Sequence, residues 1–365
     1  MNTLLKRSIL AAALSASMFQ LGYSPLANAC TRALYVGSNN LVLTGRTMDW
    51  MEDMSTDIWV LPRGIARNGE AGAESLNWTS KYGSVVSSIY GIASADGMNE
   101  KGLVMNLLYL AESNYGKPEA SHPPMALSLW GQYALDNFAT VDEAVKAMQA
   151  KPFFLIAPTL PNGEKGQAHL SLSDATGDSA IIEFIDGKQV IHHGKQYTVM
   201  TNSPAYDKQL ALNEYWVEIG GAAFLPGTSR AADRFARTYS FLNALPKEIN
   251  NAYIKSVPTH SFDAQGAAYV MSLMRAVSVP FGITAPNQPN IAATIWRSVS
   301  DQKNRVYYFD SSSRPDTFWI ELDKLNFNKE APVQKLSLAS GEVYSGEVSK
   351  QFKPAKAFEF MPATR

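Results

Sequence analysis

Cysteine is almost absent from this chain. One Cys occurs in 365 residues, at position 30, so no disulfide can form within the chain. The five histidines have no H-x-x-x-H spacing, and a single cysteine cannot form a C-x-x-C pair. These are the spacings typical of metal sites, so we expect neither a metal ion nor a cofactor.

An excess of one charge is missing as well. The 32 Lys and Arg residues nearly balance the 33 Asp and Glu residues, and the formal net charge is −1. Because nucleic-acid-binding surfaces are strongly basic, we expect no nucleic-acid partner. The sequence also contains no G-x-S-x-G turn, which excludes the usual serine nucleophile elbow.

Long apolar runs are confined to the beginning of the chain. Lys6 and Arg7 precede the apolar stretch 8–21, and the small residues Ala27 and Ala29 follow it. This order of basic, apolar and A-x-A segments is typical of a secretory signal peptide cleaved after Ala29.

The remainder of the chain has the composition of a soluble globular protein. The whole sequence is 46% hydrophobic and 18% charged, and no second run of membrane length follows the first. No repeat or linker divides it. We therefore predict a signal peptide over 1–29, a single domain over 30–365, a periplasmic location and no membrane association after cleavage.

Cleavage after Ala29 makes Cys30 the first residue of the mature chain. Its thiol and a free α-amine then lie on the same Cα. An α-amine has an ordinary pKa of ~7.7–8.0, so part of it is unprotonated near neutral pH and can accept the thiol proton. Nucleophile and general base are thus combined in one residue.

Two other interpretations of Cys30 remain open. A lone cysteine is often a buried, inert thiol. Lipoproteins are also cleaved before a cysteine, although their signal has a large aliphatic residue where this chain has Ala27. In the second case the protein would be a Cys30-lipidated binding protein, with no enzymatic turnover.

Hydrophobic periodicity predicts two blocks of strands with helices between and after them. The predicted strands cover 31–36, 41–47, 85–95, 103–110, 168–172, 179–185, 189–193, 196–201, 292–299, 305–310 and 317–322. The predicted helices cover 125–138, 144–148, 231–245 and 264–277. A capping box precedes the second helix, residues 96–102 form a turn, and 63–82 form a surface excursion. The pattern predicts an α+β fold with two stacked antiparallel sheets.

Four polar residues are candidates to surround Cys30. Arg46 and Asp49 lie one hairpin away, where a guanidinium would favour the thiolate and a carboxylate would accept a hydrogen bond from the α-amine. Asn202 precedes Ser-Pro, so it is either a turn former or an amide donor to an oxyanion. Arg234 begins a helix and by itself would form a surface salt bridge.

These residues carry a resemblance to a known family. The motifs are Cys30-Thr, Arg46-x-x-Asp49-Trp, Asp96-Gly-Met-Asn-Glu-Lys-Gly-Leu103, Thr201-Asn-Ser-Pro204 and Pro226-Gly…Arg234-Phe. In this order and spacing, from Cys30 to about Phe327, the chain resembles the choloylglycine hydrolase family, which contains bile salt hydrolases and penicillin V acylases.

The resemblance implies a fold and an assignment of roles. It implies a four-layer αββα sandwich, an N-terminal nucleophile hydrolase that cleaves linear amides of small molecules, and often a homotetramer. It further implies Cys30 as nucleophile with Arg46, Asp49 and Arg234 as its polar network. Asn202 and the backbone N–H of Tyr109 would be the oxyanion donors.

The residue at position 109 bears on the substrate. Bile salt hydrolases resemble one another in having Asn there, whereas penicillin V acylases tend to have Tyr. Trp50, Met51, Met54, Tyr90 and Tyr109 are candidates for an apolar acyl pocket, although such side chains are commonly core residues. We expect a penicillin V acylase-like activity first, hydrolysis of N-acyl homoserine lactones (quorum-signal degradation) second, and of conjugated bile salts third.

Overall fold

The computed structural model describes residues 30–118, 121–283 and 292–363. The predicted signal peptide over 1–29 lies outside these ranges. Of the helices in the described ranges, none has the length and apolar character needed to cross a membrane.

Strands and helices are numbered in chain order over the described residues. The strands are β1 (Thr31–Val36), β2 (Val42–Trp50), β3 (Ile58–Leu61), β4 (Ala66–Asn68), β5 (Asn77–Thr79), β6 (Ser84–Ile89), β7 (Ala93–Asn99), β8 (Val104–Tyr109), β9 (Pro124–Ala126), β10 (Phe154–Ile156), β11 (Ala168–Ser173), β12 (Ser179–Ile185), β13 (Lys188–His193), β14 (Val199–Met200), β15 (Ala293–Asp301), β16 (Val306–Ser311), β17 (Thr317–Glu321), β18 (Gln334–Leu336), β19 (Gly346–Glu347) and β20 (Lys353–Pro354). The α-helices are α1 (Trp130–Asn137), α2 (Val141–Gln149), α3 (Tyr206–Glu218), α4 (Ala231–Ala244) and α5 (Phe262–Ala276). Short 3-10 segments cover Leu127–Leu129, Gly221–Ala223, Ile254–Ser256, Pro258–His260 and Leu322–Lys324.

Two large sheets form the centre of the molecule. One has seven strands in the order β14-β1-β2-β15-β16-β17-β19, and the other has nine in the order β13-β12-β11-β8-β7-β6-β3-β18-β20. Every pairing in the nine-stranded sheet is antiparallel, and in the seven-stranded sheet only β17 and β19 run parallel.

Helices cover the outer face of each sheet. Helices α4 and α5 contact β1, β2 and β15, whereas α1 and α2 contact β7, β8 and β12. Along β6, Val85 belongs to a hydrophobic cluster that includes both sheets and α5, and Val86 belongs to the cluster under α1 and α2. Adjacent side chains of a strand point to opposite faces, so the sheets bury both of their faces. This arrangement confirms the predicted α+β, αββα architecture.

The predicted strand over 85–95 is wrong, because it is two strands. Tyr90 and Gly91 have φ values of 52° and 67°, in the left-handed region, and they turn β6 back into β7. The predicted turn over 96–102 is too long. Residues up to Asn99 belong to β7, and the reversal occurs at Glu100 to Gly102, where Gly102 has φ 85°. The polar residues that suggested a loop are buried and hydrogen-bonded in the strand.

The predicted helix over 125–138 begins later, at Trp130. Residues 124–126 form β9, which pairs in parallel with β10. The predicted N-cap at Thr140 is confirmed, since its Oγ1 accepts a hydrogen bond from the Glu143 amide at 3.2 Å, while the Glu143 carboxylate accepts from the Ala139 amide at 2.8 Å. Helix α3 is absent from the prediction because its apolar residues lie around its whole circumference, as the exposed Tyr215 and Val217 illustrate. The 63–82 excursion contains the small β4–β5 hairpin.

Candidate active site

The β1–β2 hairpin brings Cys30 beside the end of β2. Thr31 pairs with Thr47 in the hairpin register, so Cys30 lies opposite Met48. Its Sγ atom is 3.9 Å from Met48 Sδ and 3.7 Å from the Asp49 carbonyl oxygen. The residue is 2% exposed. The thiol, directly before the first strand of a central sheet, is thus held close to Met48 and Asp49, as a positioned nucleophile requires.

Arg46 lies next to the sulfur and connects the two sheets. Its Nη2 atom is 3.9 Å from Cys30 Sγ and donates to the Leu107 carbonyl at 3.1 Å. Its Nη1 atom donates to the Ala95 carbonyl at 2.9 Å and lies 3.6 Å from Asp96 Oδ2. Because Leu107 and Ala95 belong to the facing sheet, the guanidinium is fixed by both layers.

Burial has a larger effect on Cys30 than the neighbouring cation. Desolvation raises the pKa of the Cys30 thiol above its ordinary value, the charge of Arg46 opposes that rise, and the charge of Asp49 adds to it. Arg46 does favour the thiolate, as expected, but the effect of burial on the thiol pKa is larger. The thiol needs a proton acceptor at the moment of attack.

The Cys30 nitrogen is bound by Asn202, which follows β14. The backbone N–H of Cys30 donates to Asn202 Oδ1. The same oxygen accepts from Arg234 Nη2 at 3.1 Å, and Asn202 Nδ2 donates to the Tyr109 carbonyl at 2.7 Å. We expected Asp49 to accept a hydrogen bond from the free α-amine of Cys30, and since the bond to Asn202 is made by the backbone N–H, that expectation stays a prediction. The side-chain amide of Asn202 joins Cys30, Arg234 and the Tyr109 backbone.

Arg234 projects from the first turn of α4 into the site. Helix α4 packs on β1, and the Arg234 side chain is fully buried. Its Nη1 atom donates to the Cys30 carbonyl at 2.7 Å and to Thr31 Oγ1 at 2.5 Å. It also lies 3.8 Å from Asp49 Oδ2. The packing of the helix thus excludes a surface role for this arginine.

Asp49 is a buried carboxyl with a raised pKa. Desolvation raises its pKa to about 6, while Arg234 and a hydrogen bond from Thr294 partly oppose that effect. Thr294 Oγ1 donates to Asp49 Oδ1 at 2.6 Å from the neighbouring strand β15. Among the described residues none hydrogen-bonds to Asp49 Oδ2.

A buried polar network continues from Arg46 between the sheets. Asn106 Nδ2 donates to Asp96 Oδ2 at 2.6 Å, and Tyr307 Oη donates to Asp96 Oδ1 at 2.6 Å. Ser87 and Tyr307 share a further hydrogen bond of 2.7 Å. Asp96 therefore has several partners besides Arg46, which explains how an acid at the start of the 96–103 motif tolerates burial.

An apolar cavity of about 70 Å³ adjoins Cys30. Of the five residues predicted for an acyl pocket, Trp50, Met54 and Tyr109 line it, and Met51 and Tyr90 do not. Tyr90 instead supports the pocket, since its hydroxyl accepts a hydrogen bond from Trp50 Nε1 at 2.7 Å. The remaining walls are mainly aliphatic and thioether side chains, which suit an apolar group and not a charged one.

Several residues of the site are absent from the sequence prediction. Met48 follows from strand alternation, since it lies two residues beyond Arg46 on the same face. Thr294, Leu127, Leu160 and Met361 have no local signal, because contacts distant in sequence bring them to the site. In the ranges 30–118, 121–283 and 292–363, no cluster of three or more His, Cys, Asp or Glu residues is arranged to hold a metal ion.

Comparison with known proteins agrees with this geometry. The sequence profile of the linear amide C–N hydrolases, choloylglycine hydrolase family, matches residues 30–335. A penicillin V acylase of Pectobacterium atrosepticum is 48% identical over 363 residues, which cover 95% of this chain and 96% of that protein. The structure of penicillin V acylase from Agrobacterium tumefaciens is 50% identical with a TM-score of 0.82, covering 91% of this chain and 99% of the other.

A more distant structure shares the fold. A mutant of the conjugated bile acid hydrolase from Clostridium perfringens has a TM-score of 0.68 at 21% identity, covering 87% of this chain and 98% of that one. The resemblance therefore extends over nearly the whole described chain.

Proposed function

Because the chain belongs to the choloylglycine hydrolase family of linear amide C–N hydrolases, we propose that it cleaves the acyl amide of penicillin V-type substrates through Cys30. The observation that carries the proposal is the joint placement of the Cys30 sulfur and nitrogen in one buried polar site beside an apolar cavity. The sulfur supplies the nucleophile, the nitrogen supplies the base, and the cavity receives the acyl group.

The proposed reaction has two stages. The α-amine accepts the Cys30 thiol proton, the sulfur attacks the amide carbonyl carbon, and the resulting ammonium returns the proton to the leaving amine as the C–N bond breaks. Water then attacks the thioester, transfers a proton through the same amine to the departing sulfur, and releases the carboxylic acid. The raised pKa of the thiol makes an adjacent proton acceptor necessary.

Asn202 and the Tyr109 backbone N–H are proposed to stabilise the oxyanion. A side-chain amide has two N–H donors, and the Tyr109 carbonyl takes only one from Asn202. That contact also brings the Tyr109 backbone beside Asn202. Arg46, Asp49 and Arg234 would hold the sulfur, the nitrogen and Asn202 in place, since none of the three has freedom to move.

The cavity supports two classes of acyl group. Trp50 and Tyr109 lie edge to face with ring centroids 6.1 Å apart and suit the flat phenoxyacetyl group of penicillin V. The aliphatic lining, with Leu127 and Leu160, favours alkyl chains as a second class, as in N-acyl homoserine lactones. Degradation of such signals is our second candidate function.

Processing, location and assembly belong to the same proposal. We propose that export removes residues 1–29, leaves Cys30 with a free amine, and releases the enzyme into the periplasm as a homotetramer. N-terminal sequencing and the mass of exported protein test the first step, because a lipidated cysteine would instead add a diacylglycerol and an acyl group. Light scattering of the purified protein tests the tetramer.

A comparative assay tests the activity. The mature protein is given penicillin V, a long-chain N-acyl homoserine lactone and a glycine-conjugated bile acid, and release of the free amine is measured. We expect penicillin V to react fastest and Cys30→Ala to lose nearly all activity on every substrate. Equal and negligible rates on all three substrates would defeat the substrate assignment, and an active Cys30→Ala protein would defeat the nucleophile assignment.

A further inference from the structure

One residue that lines the apolar cavity is far in sequence from the other lining residues. After β20, residues 355–363, here called the C-terminal tail, return across the nine-stranded sheet, and Met361 lines the cavity. The tail lies outside residues 30–335, which the family profile matches. Family membership therefore assigns it no role.

Hydrogen bonds fix the backbone on both sides of Met361. The Met361 N–H donates to the Ile92 carbonyl at 2.9 Å, and its own carbonyl accepts from Ser128 Oγ at 2.7 Å. The Ala363 N–H donates to the Glu70 carbonyl at 2.8 Å. Both polar backbone groups of Met361 are thus satisfied, which fixes the position of this residue in the lining of the cavity.

Aromatic packing holds the preceding part of the tail. Phe358 packs edge to face on Trp59 with ring centroids 4.9 Å apart, and the Arg67 guanidinium lies 5.1 Å from the centroid of Phe360. Both phenylalanines are buried in the cluster under α1 and α2. The tail is thus a packed part of the fold, so Met361 is a fixed wall of the cavity.

Met361 and the reacting sulfur are held by different parts of the structure. The polar neighbours of Cys30 Sγ are Met48, Asp49 and Arg46, whereas Met361 binds Ile92 and Ser128, in the β6–β7 turn and the 3-10 segment before α1. An acyl group attached at the sulfur would extend through the cavity toward these segments. We propose that Met361 bounds the far end of the acyl pocket and so limits the length of the acyl chain.

This inference rests on the proposed function and concerns its specificity. Hydrophobic pockets distinguish substrates by roughly 10–200-fold for each methylene that gains or loses its place. Methionine has a flexible side chain that fills space at the end of a pocket. A smaller residue at this position leaves room for the substrate, and a larger residue takes that room away. Met361→Ala should therefore favour longer acyl chains, and Met361→Trp shorter ones.

The test measures kcat/KM for butyryl, octanoyl and dodecanoyl amides of one amine. We expect Met361→Ala to raise the dodecanoyl-to-butyryl ratio by about tenfold or more and Met361→Trp to lower it by a similar factor. Glu359→Ala, an exposed change in the same tail, should keep the parent ratio. Thermal unfolding verifies that all three variants are folded, and if one Met361 variant is not, the ratio of the other decides.

Two outcomes separate the inference from the function it rests on. A parent enzyme that hydrolyses the amides, with ratios unchanged in both Met361 variants, overturns the inference alone. If the parent hydrolyses none of the amides, calorimetric titration of butyrate and dodecanoate into the Cys30→Ala protein still decides the point, and the proposed function fails only if penicillin V is not hydrolysed either. If Met361→Trp, added to the Cys30→Ala protein, leaves the preference between the two acids unchanged, the inference about Met361 is overturned. A shift of the preference toward butyrate supports it.

Discussion

At the scale of single residues, burial determines the chemistry of the site. Cys30, Arg46, Asp49 and Arg234 are all buried, and desolvation is the largest influence on the pKa of the cysteine, the aspartate and Arg234. Each charged group therefore depends on a specific partner. Removing one partner should shift the titration of the others in a direction that the structure fixes.

We expect Asp49→Asn to change how stability depends on pH. The pKa of Asp49 rises from 3.8 to about 6 on folding, so proton binding stabilises the folded parent at low pH, and this stabilisation is lost as the pH rises from 3.8 to about 6. Asp49→Asn lacks this loss. The free energy of unfolding of the variant, minus that of the parent, should therefore increase by up to about 3 kcal/mol over this pH range. Urea unfolding at a series of pH values measures this.

The exposed acid Asp142 of α2 supplies the control for that experiment. Asp142→Asn removes an exposed ion pair with Lys146, so it should change the free energy of unfolding by no more than about 0.5 kcal/mol. A parallel pH dependence for the parent and Asp49→Asn would contradict the raised pKa.

We expect Arg46→Gln to raise the pKa of the Cys30 thiol further. The guanidinium 3.9 Å from the sulfur opposes the effect of burial, and a neutral amide cannot replace its charge. The pH midpoint of alkylation by iodoacetamide should move upward by about one unit or more. Arg63→Gln, which breaks an exposed ion pair with Glu100, should leave the midpoint unchanged. A downward shift in Arg46→Gln would show that the arginine does not stabilise the thiolate.

At the scale of elements, the site depends on contacts between the two sheets. The β1–β2 hairpin carries Cys30, Arg46 and Asp49, but Arg46 is fixed by carbonyls of the nine-stranded sheet. Asp96 of β7 is in turn fixed by Tyr307 of β16 in the other sheet. The polar network thus aligns the layers at the point where the sulfur lies.

We expect Tyr307→Phe to destabilise the fold by about 1–3 kcal/mol, because it leaves the buried Asp96 carboxyl with one donor fewer. Tyr253→Phe alters an exposed ring hydroxyl and should stay within about 0.5 kcal/mol of the parent. Urea unfolding of both variants measures the free energies. Equal stabilities for the two variants would mean that the hydrogen bond between the sheets contributes nothing.

At the scale of the whole molecule, Cys30 and the C-terminal tail meet at one cavity. Cys30 lies at one part of its lining and Met361 at another, and strands of both sheets lie between them in sequence. The proposed chemistry requires the complete fold, and it requires removal of residues 1–29 so that Cys30 has a free α-amine. These two requirements can be tested separately.

We expect a chain that keeps residues ahead of Cys30 to fold and remain inactive. A peptide nitrogen at Cys30 cannot accept a proton, and a general base contributes about 10²–10⁴-fold to such reactions. Replacing the A-x-A residues Ala27 and Ala29 by bulky residues should block cleavage and lower amide hydrolysis by at least about a hundredfold, with an unchanged melting temperature. Parent-like activity in the uncleaved protein, verified by its mass, would refute the role of the α-amine.

Sequence patterns predicted the elements that local periodicity defines. The strand over 179–185 has the predicted bounds, and α4 differs by one residue at its end. The polar half of β7, over 96–99, was taken for a turn, because buried polar residues lack the usual alternation of a strand. Helix α3 was missed, because its apolar residues are spread around the whole helix. Residue identity and order were also enough to place Cys30, Arg46, Asp49, Asn202, Arg234 and Tyr109 in one family pattern.

What the sequence determined by itself is therefore the set of chemical groups: one cysteine behind a predicted export signal, with a fixed order of polar partners. Only the tertiary structure decided which atoms meet, because burial and long-range packing set distances and desolvation that no local pattern contains. It joined the Cys30 nitrogen to Asn202 and not to Asp49, and raised the thiol pKa in spite of Arg46. It also placed Met361 in the wall of the cavity, where only the path of the folded chain can bring it.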